Sequence, residues 1–410
     1  MKILLLNLYY PPDNSATAKM AHTVVEMVSI YHSVTVLCGR PSYDTSDLRK
    51  WRLYQSETVG LAQIIRVGST AFSRFDMKKR VLNYLSYAAL AVPRALFSRC
   101  DVILAMTDPP FQGILGAFVA MLKRKPYVYN IRDLYPDMAI AGAIMPPGRS
   151  TRLWEKLHRW ALRHTTKVIV LGEDMRRRII GKGVEPSRVV VIRDGAEILP
   201  RIAPLPPPDR DVVHAIRSDF SFVLLHAGNL GFYGAWNTLI TAARKLASEG
   251  VGLVFVGEGA QRAEVQAAAT GADNIRFLDY FPHDKIPSVL AAADAHIITV
   301  KRGLEGVVVP SKMYGILAAG KPIVAVAPAE TDVVSLGLQR GFAVAADPDK
   351  PAELANVIRE LATDRNKLKT VGEAARAAAP NYDRVQELQK FVNIFDELSM
   401  NERDRKAEHA

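Results

Sequence analysis

Short, uninterrupted apolar runs alternating with helix-length stretches constrain this chain more than any other feature. In the first half the runs are KILLLN (2–7), VTVL (34–37), IIRV (64–67), DVILAM (101–106), YVYNI (127–131), KVIVL (167–171) and VVVI (189–192). Most lack the period-two alternation of a half-exposed strand, so they read as parallel strands covered on both faces. Stretches between them, such as Ala16 to Tyr31 and Trp154 to Arg163, are long enough for crossover helices. Five prolines then fall between Pro200 and Pro208, four of them in PLPPP, a run that resists helix and sheet alike. Beyond it the alternation restarts with FVLLH (222–226), LVFVG (253–257), IRFL (275–278), AHIITV (295–300), PIVAV (322–326) and FAV (342–344). The pattern predicts two consecutive doubly wound α/β domains, 1–199 and 216–380, joined by a linker over 200–215. An amphipathic helix from Val385 to Leu398 and a polar, frayed tail from Ser399 to Ala410 complete the reading.

Composition agrees. A length of 410 residues accommodates two to three domains, and 49% apolar with 23% charged residues excludes wholesale disorder. Two cysteines, Cys38 and Cys100, cannot build a disulfide framework or a cysteine-based zinc site, so a reducing compartment is expected. The apolar run Ile3 to Leu6 is too short for a signal-peptide core. Val81 to Val92, with Asn83, Ser86 and two tyrosines, is too short to span a bilayer. Residues 1–200 hold 29 Lys and Arg against 16 Asp and Glu, whereas residues 201–410 hold 24 against 26. A basic first half suits an anionic partner such as nucleic acid, phospholipid or a phosphorylated substrate, or serves solubility alone.

Several chemical signatures are missing. No GxGxxG follows the first strand, and GxxxxGK[ST], HExxH, CxxC and GxSxG do not occur. Asp209-Arg210-Asp211 resembles a metal-binding DxD but sits in the proline-rich linker, so it reads as solvated charge; Asp347-Pro348-Asp349 reads as a turn. Signals for phosphate lie in the second half. FVLLH runs into Ala227-Gly228-Asn229-Leu230-Gly231, and LVFV into Gly257-Glu258-Gly259. Such glycines let backbone approach a ligand, or simply make a tight turn. In Val309-Pro310-Ser311-Lys312, Ser311 is placed to cap a helix and Lys312 sits in its first turn, against the helix dipole. A cation there points to an anionic partner such as a diphosphate, or is a surface lysine beside a cap.

VVPSKMYGILAAGKPIVAV, preceded by AAADAHIITV and LVFVGEGAQR, resembles the donor-binding half of retaining glycosyltransferases of the GT-B fold, family 4. YYPPDNSATAKMAHTVVEMV, TDPPF (107–111) and NIRDLYPDMAIAGAI (130–144) resemble its bacterial O-antigen and capsule subgroup, which includes L-fucosamine transferases. The resemblance covers 1–395 and implies two Rossmann-like domains facing across a cleft. The nucleotide-sugar, UDP-linked, would bind the C-terminal domain and the acceptor the N-terminal one. No metal or other cofactor is implied, and a final helix over 381–398 would cross back to the first domain.

Carried onto this sequence, the resemblance assigns Ser311 and Lys312 to the donor diphosphate. Asn229 and Gly231 fall beneath phosphate and sugar, Glu258 beside the nucleotide, and Tyr280, Phe281 and His283 around the base; His283 reads equally as an exposed loop residue. Many members carry two glutamates eight residues apart; Val307 and Gly315 stand there instead, with Glu305 out of register. Glu330 is a substitute for ribose recognition, and Lys301 or Arg302 for an absent Arg and Lys pair after the glycine loop. Asp133 is the candidate for assisting proton removal from the acceptor, and Arg132 for holding phosphate; the two also read as a surface ion pair. Ser15, Thr17 and Asp108 would line the same cleft. The basic first half fits a lipid-diphosphate-linked saccharide at the inner face of a cytoplasmic membrane. Phe72 to Arg80, Lys123-Arg124-Lys125 and Arg176-Arg177-Arg178 are candidate contacts, with the run to Phe97 either interfacial or core. Scattered basic clusters with no binding module disfavour nucleic acid. A nucleotide-sugar 2-epimerase or hydrolase on this fold, and a non-catalytic membrane-associated scaffold, are the competing readings.

Overall fold

The computed structural model describes residues 1–41, 52–72, 77–196 and 207–408, arranged as two compact units. The first unit comprises Met1–Leu171, Arg176–Ile192 and Gln386–Ala410, and the second Gly172–Met175 and Arg193–Val385. Most of the proline run, and residues 73–76 of the basic stretch, lie outside the described residues.

Eight strands build the sheet of the first unit: β1 (Lys2–Leu6), β2 (Ser33–Cys38), β3 (Tyr54–Val59), β4 (Ala62–Val67), β5 (Val102–Ala105), β6 (Tyr127–Asn130), β7 (Lys167–Val170) and β8 (Val189–Val191). Their order is β3-β4-β2-β1-β5-β6-β7-β8, and every pairing is parallel except the β3–β4 hairpin. Seven of these strands are the apolar runs of the sequence. The eighth, β3, reads YQSETV, an exposed edge strand with no apolar run to announce it. The helix Ala16–Ser29 buries Ala21, Val24, Val25 and Val28 against Ile3, Leu5, Val34 and Val36. Leu388, Phe391, Val392 and Phe395 of the helix Arg384–Glu408 join that same cluster, so this last helix completes the core of the first unit. It continues to Glu408 instead of fraying after Leu398, because residues 399–408 are mostly good helix formers.

The second unit's sheet has β9 (Phe222–Ala227), β10 (Val251–Val256), β11 (Ile275–Leu278), β12 (Ala295–Thr299), β13 (Ile323–Val326) and β14 (Ala343–Ala346). All run parallel in the order β11-β10-β9-β12-β13-β14. Both units are thus Rossmann-like. The connection out of β9 leads to one side and the strand on its other side is β12, so the switch of strand order falls between these two. The equivalent point in the first unit lies between β1 and β5. Open α/β sheets bind ligands at the carboxyl ends of strands at such switches. The expected linker is shorter than 200–215. Asp209 accepts hydrogen bonds from the amides of Asp211 (3.0 Å) and Val212 (3.3 Å), capping a helix, Arg210–Arg217, that buries Val212 and Ile216. Its carboxylate also pairs with Lys285 at 2.6 Å.

The helix Met77–Phe97 buries Asn83, Tyr84, Tyr87, Ala91 and Ala95 while exposing Val81, Leu82 and Leu85. It is therefore core on one face and bare apolar surface on the other. No helix among the described residues is long and apolar enough to cross a membrane.

Phe395 is fully buried in the first unit's core. Phe395→Ala is expected to destabilise that unit by about 3–5 kcal/mol, measured as a lower urea midpoint for its transition.

Candidate functional site

In the second unit the loops after β9 and β10 lie against each other. The Leu230 amide donates to the Glu258 carbonyl (2.8 Å), the Gln261 amide to the Leu230 carbonyl (3.0 Å), and the Gly228 amide to the Val256 carbonyl (2.8 Å). Gly257 has φ +144°, and a Cβ there would lie 2.2 Å from the Gly228 carbonyl oxygen. Only glycine fits, for backbone angle and for space. Lys312 comes up beneath this pair of loops, its Nζ 2.9 Å from where a Cβ on Gly228 would stand and 3.0 Å from His226 Nε2.

His226 belongs to β9 and is fully buried, its ring edge-on to Trp236 with centroids 4.9 Å apart. Its Nδ1 makes no close hydrogen bond. Burial, reinforced by the Lys312 charge, holds this imidazole well below the usual histidine range. Lys312 keeps some exposure along its length, but burial of its amino end lowers its pKa to about 7. The helix carrying it, Lys312–Ala318, is fixed by buried Met313, Tyr314, Ile316 and Leu317, with Tyr314 packed on Tyr382 at 5.4 Å. Ser311 is not the expected cap. It has helical backbone angles (φ −64°, ψ −21°) and its side chain makes no capping bond.

The remaining residues expected around a nucleotide have varied fates. Asn229 is exposed in the first loop, and its carbonyl accepts from the Tyr233 hydroxyl; Gly231 is buried, its carbonyl bonded to Trp236 Nε1 at 2.8 Å. Glu258 is exposed and ion-paired with Arg262, which also meets Asp279 at 2.7 Å. Tyr280 is half exposed beside Gly257, and His283 is exposed in a 3-10 turn, His283–Lys285. Phe281 departs from expectation, because its ring packs against the cluster of Val212, Ile216 and Val289. Arg302 likewise is directed elsewhere, to Asp347 (2.9 Å) and Asp349 (2.8 Å) in the loop after β14. Lys301, just beyond β12, is exposed, its amide bonded to the Tyr233 carbonyl (2.7 Å), and lines one depression with Arg302, Gly234 and Trp236. Glu330 is exposed, lining a depression of about 300 Å³ with Arg302, Lys350 and Glu353. Glu305 accepts from the Gly303 amide (2.8 Å), and Val307 is buried.

The first unit gathers a second group at its own switch point. Asn7 Oδ1 accepts from the Asp108 amide (3.3 Å), and the Leu8 amide donates to the Asp108 carbonyl (2.8 Å). The Thr17 hydroxyl donates to the Asp108 carboxylate, and burial raises that carboxyl above its usual value despite the charges of Arg80 and Arg132. The Arg132 amide is held by Thr107 Oγ1 at 2.8 Å. Asp133 and Asp108 both act electrostatically on Tyr129 and Tyr135. Thr17, Asp108, Arg132 and Asp133 therefore share one neighbourhood. Ser15 is committed to capping, its Oγ accepting from the Ala18 amide at 3.0 Å. Arg80 belongs here too, half-buried and bonded to the Tyr84 hydroxyl, not to the exposed basic run. The other basic clusters are also partly spent internally. Lys123 Nζ donates to the carbonyls of Leu96 and Ser98 (2.8 Å each), and Arg178 pairs with Asp137 (2.9 Å).

His226 is the functional candidate that sequence reasoning passed over, and Arg80, read there as a cation of the Phe72 to Arg80 stretch, belongs instead beside Asp108. An imidazole inside the apolar run FVLLHA was the available signal for His226. The place of Arg80 was hidden among Lys78 and Lys79. No cluster of three or more His, Cys, Asp or Glu placed to hold a metal ion occurs among the described residues.

Residues 16–195 match the glycosyl transferase 4-like domain and residues 221–364 match glycosyl transferases group 1. WcaI of Escherichia coli (strain K12), named for colanic acid biosynthesis glycosyl transfer, is 26% identical over 96% of this chain and 99% of its own length. WbjE of Pseudomonas aeruginosa, named as a glycosyltransferase, is 25% identical over 72% of this chain and 74% of its own. Among solved structures, Anabaena HepE in complex with UDP and glucose superposes with a TM-score of 0.68 at 19% identity, covering 97% of this chain and 100% of that one.

A side chain at residue 257 would strike the neighbouring loop. Gly257→Ala is expected to lower stability by about 1–3 kcal/mol, read as a drop in Tm of the full chain.

Proposed function

We propose that this chain, which is a glycosyltransferase of the GT-B architecture, moves a sugar from a UDP-linked donor to a lipid-diphosphate-linked saccharide in surface polysaccharide assembly. Transfer proceeds with retention and without a metal. The observation that carries this reading is the Lys312 amino group, buried directly beneath two glycine loops that bring bare backbone to the switch point of the second sheet. An amine in that position has a strong reason to be there if an anion docks on the loops. The name of WcaI supports polysaccharide assembly, that of WbjE supports glycosyl transfer, and the UDP and glucose held by HepE support the donor class.

The chemistry follows from where charge develops. As the glycosidic bond to phosphate lengthens, negative charge accumulates on the departing diphosphate and positive charge on the sugar. Lys312, preorganised in a desolvated pocket, stabilises the first of these. The proton of the attacking hydroxyl passes to the departing phosphate, with Asp133 orienting the acceptor and Arg132 holding its phosphate.

The acceptor's lipid explains the bare surfaces of the first unit. Leu82 and Leu85, Phe118 and Leu122 of the helix Gln112–Lys123, and Leu153 and Leu157 of the helix Arg149–Arg163 are all exposed. Lys78, Lys79, Arg152 and Lys156 stand exposed among them. Apolar area combined with cations suits an anionic bilayer, which supports a peripheral position on the inner face of the cytoplasmic membrane.

Two measurements test the proposal. In buffer with EDTA, UDP should raise Tm more than GDP, ADP or dTDP. Lys312→Ala should abolish that shift and reduce transfer about a hundredfold, whereas wild-type turnover would remove Lys312 from the site. Leu82→Ser combined with Lys78→Glu and Lys79→Glu should weaken co-sedimentation with phosphatidylglycerol vesicles and leave neutral-vesicle binding low. Unchanged partitioning would reject this surface.

A further inference from the structure

The imidazole behind Lys312 is the least explained polar group in the second unit. It lies on a strand whose other members are apolar, has no exposure, and makes one side-chain hydrogen bond, to Lys312 Nζ at 3.0 Å. Its Nδ1 makes no close hydrogen bond, and the backbone of Asn229 and Ile297 acts on the ring only weakly against burial. A histidine buried in this way costs stability unless that one contact matters. Trp236 and Phe255 pack against the ring, so it is held in a fixed plane and has no room to turn toward solvent.

We propose that His226 is a positioning residue for Lys312, and that the pair makes docking of the donor diphosphate a proton-coupled step. The inference rests on the donor site proposed above. In the empty site the amine is desolvated, and its neighbour offers only a neutral lone pair. When the diphosphate settles on the loops after β9 and β10, one proton moves from solvent to Lys312 Nζ, and the resulting ammonium faces the anion. His226 Nε2 accepts one of its three hydrogens, with the ring proton on Nδ1, and so aims the remainder away from the strand.

The neighbouring groups leave little else to respond. His296 on β12 faces the pair, but it is fixed by a 2.9 Å contact between its Nε2 and the Leu290 carbonyl, and burial lowers its pKa to about 4. Lys321, beyond His296, donates to the carbonyls of Ala291 (2.8 Å) and Ala293 (2.7 Å). Burial is the cause acting on Lys312, and no carboxylate contributes among the described residues. A group whose protonated form alone holds the ligand loses affinity as pH rises through its pKa in the free protein.

Calorimetry of the full chain with UDP at pH 8, in HEPES and in Tris, counts the protons exchanged. The secondary ionisation of UDP is complete at that pH. Uptake of close to one proton per UDP is expected, with affinity falling about tenfold per pH unit above pH 8. His226→Phe should shift the pH at which affinity begins to fall, and His226→Gln, which keeps an acceptor, should restore much of the wild-type profile. UDP binding with no proton uptake would overturn the inference and leave the donor site standing. So would a His226→Phe profile that overlays wild type. No binding of UDP at all would overturn both. The proton count on the wild-type chain needs no variant to fold.

Discussion

Each sheet is covered by helices, so the backbone groups of its central strands are consumed in the ladder and their side chains in the core. What remains for recognition is the row of loops where the parallel strands end. Strand order then selects among those loops, because crossovers leaving in opposite directions part at one place and cover the sheet edge everywhere else. In the first unit that place brings Asp108 and Thr17 together with the turn carrying Arg132 and Asp133. In the second it brings two glycine loops over Lys312.

The two places differ in how they treat charge. The first unit gathers several groups of both signs, and a buried carboxyl there is balanced by a hydroxyl donor and two guanidinium groups. In the second unit a single amine is drawn out of water with only a neutral imidazole against it. A desolvated cation without a counter-ion is unfavourable, so burial favours the neutral form of this amine. On the proposed reading, a polyphosphate arriving on the loops would supply the missing counter-charge and favour the ammonium.

Apolar runs made thirteen of the fourteen strands among the described residues legible, because a strand covered on both faces has no polar positions to disguise it. β3 escaped for the opposite reason: at an exposed edge, YQSETV had no core to face. The helix Arg210–Arg217 was hidden by its closeness to the prolines, although Asp209 before it is an ordinary capping residue. Within the sites, glycines and the Pro-Ser-Lys segment could be read because their backbone demands are local. The packing of Phe281 on Val212 and the pairing of Arg302 with Asp347 and Asp349 were not legible, because these partners lie about fifty to seventy residues away in sequence. Long-range pairing of this kind leaves no mark on spacing. His226 shows the same limit, since its meaning comes from Lys312, 86 positions later.

Leu388, Phe391, Val392 and Phe395 fill space between β1, β2 and the first helix. A ribosome delivers those residues only after every strand of the second sheet has emerged. The later-made unit can therefore close its core while the earlier-made one still has a greasy gap along one face. During that interval the nascent amino-terminal half carries exposed apolar surface, the kind that makes folding intermediates prone to aggregate.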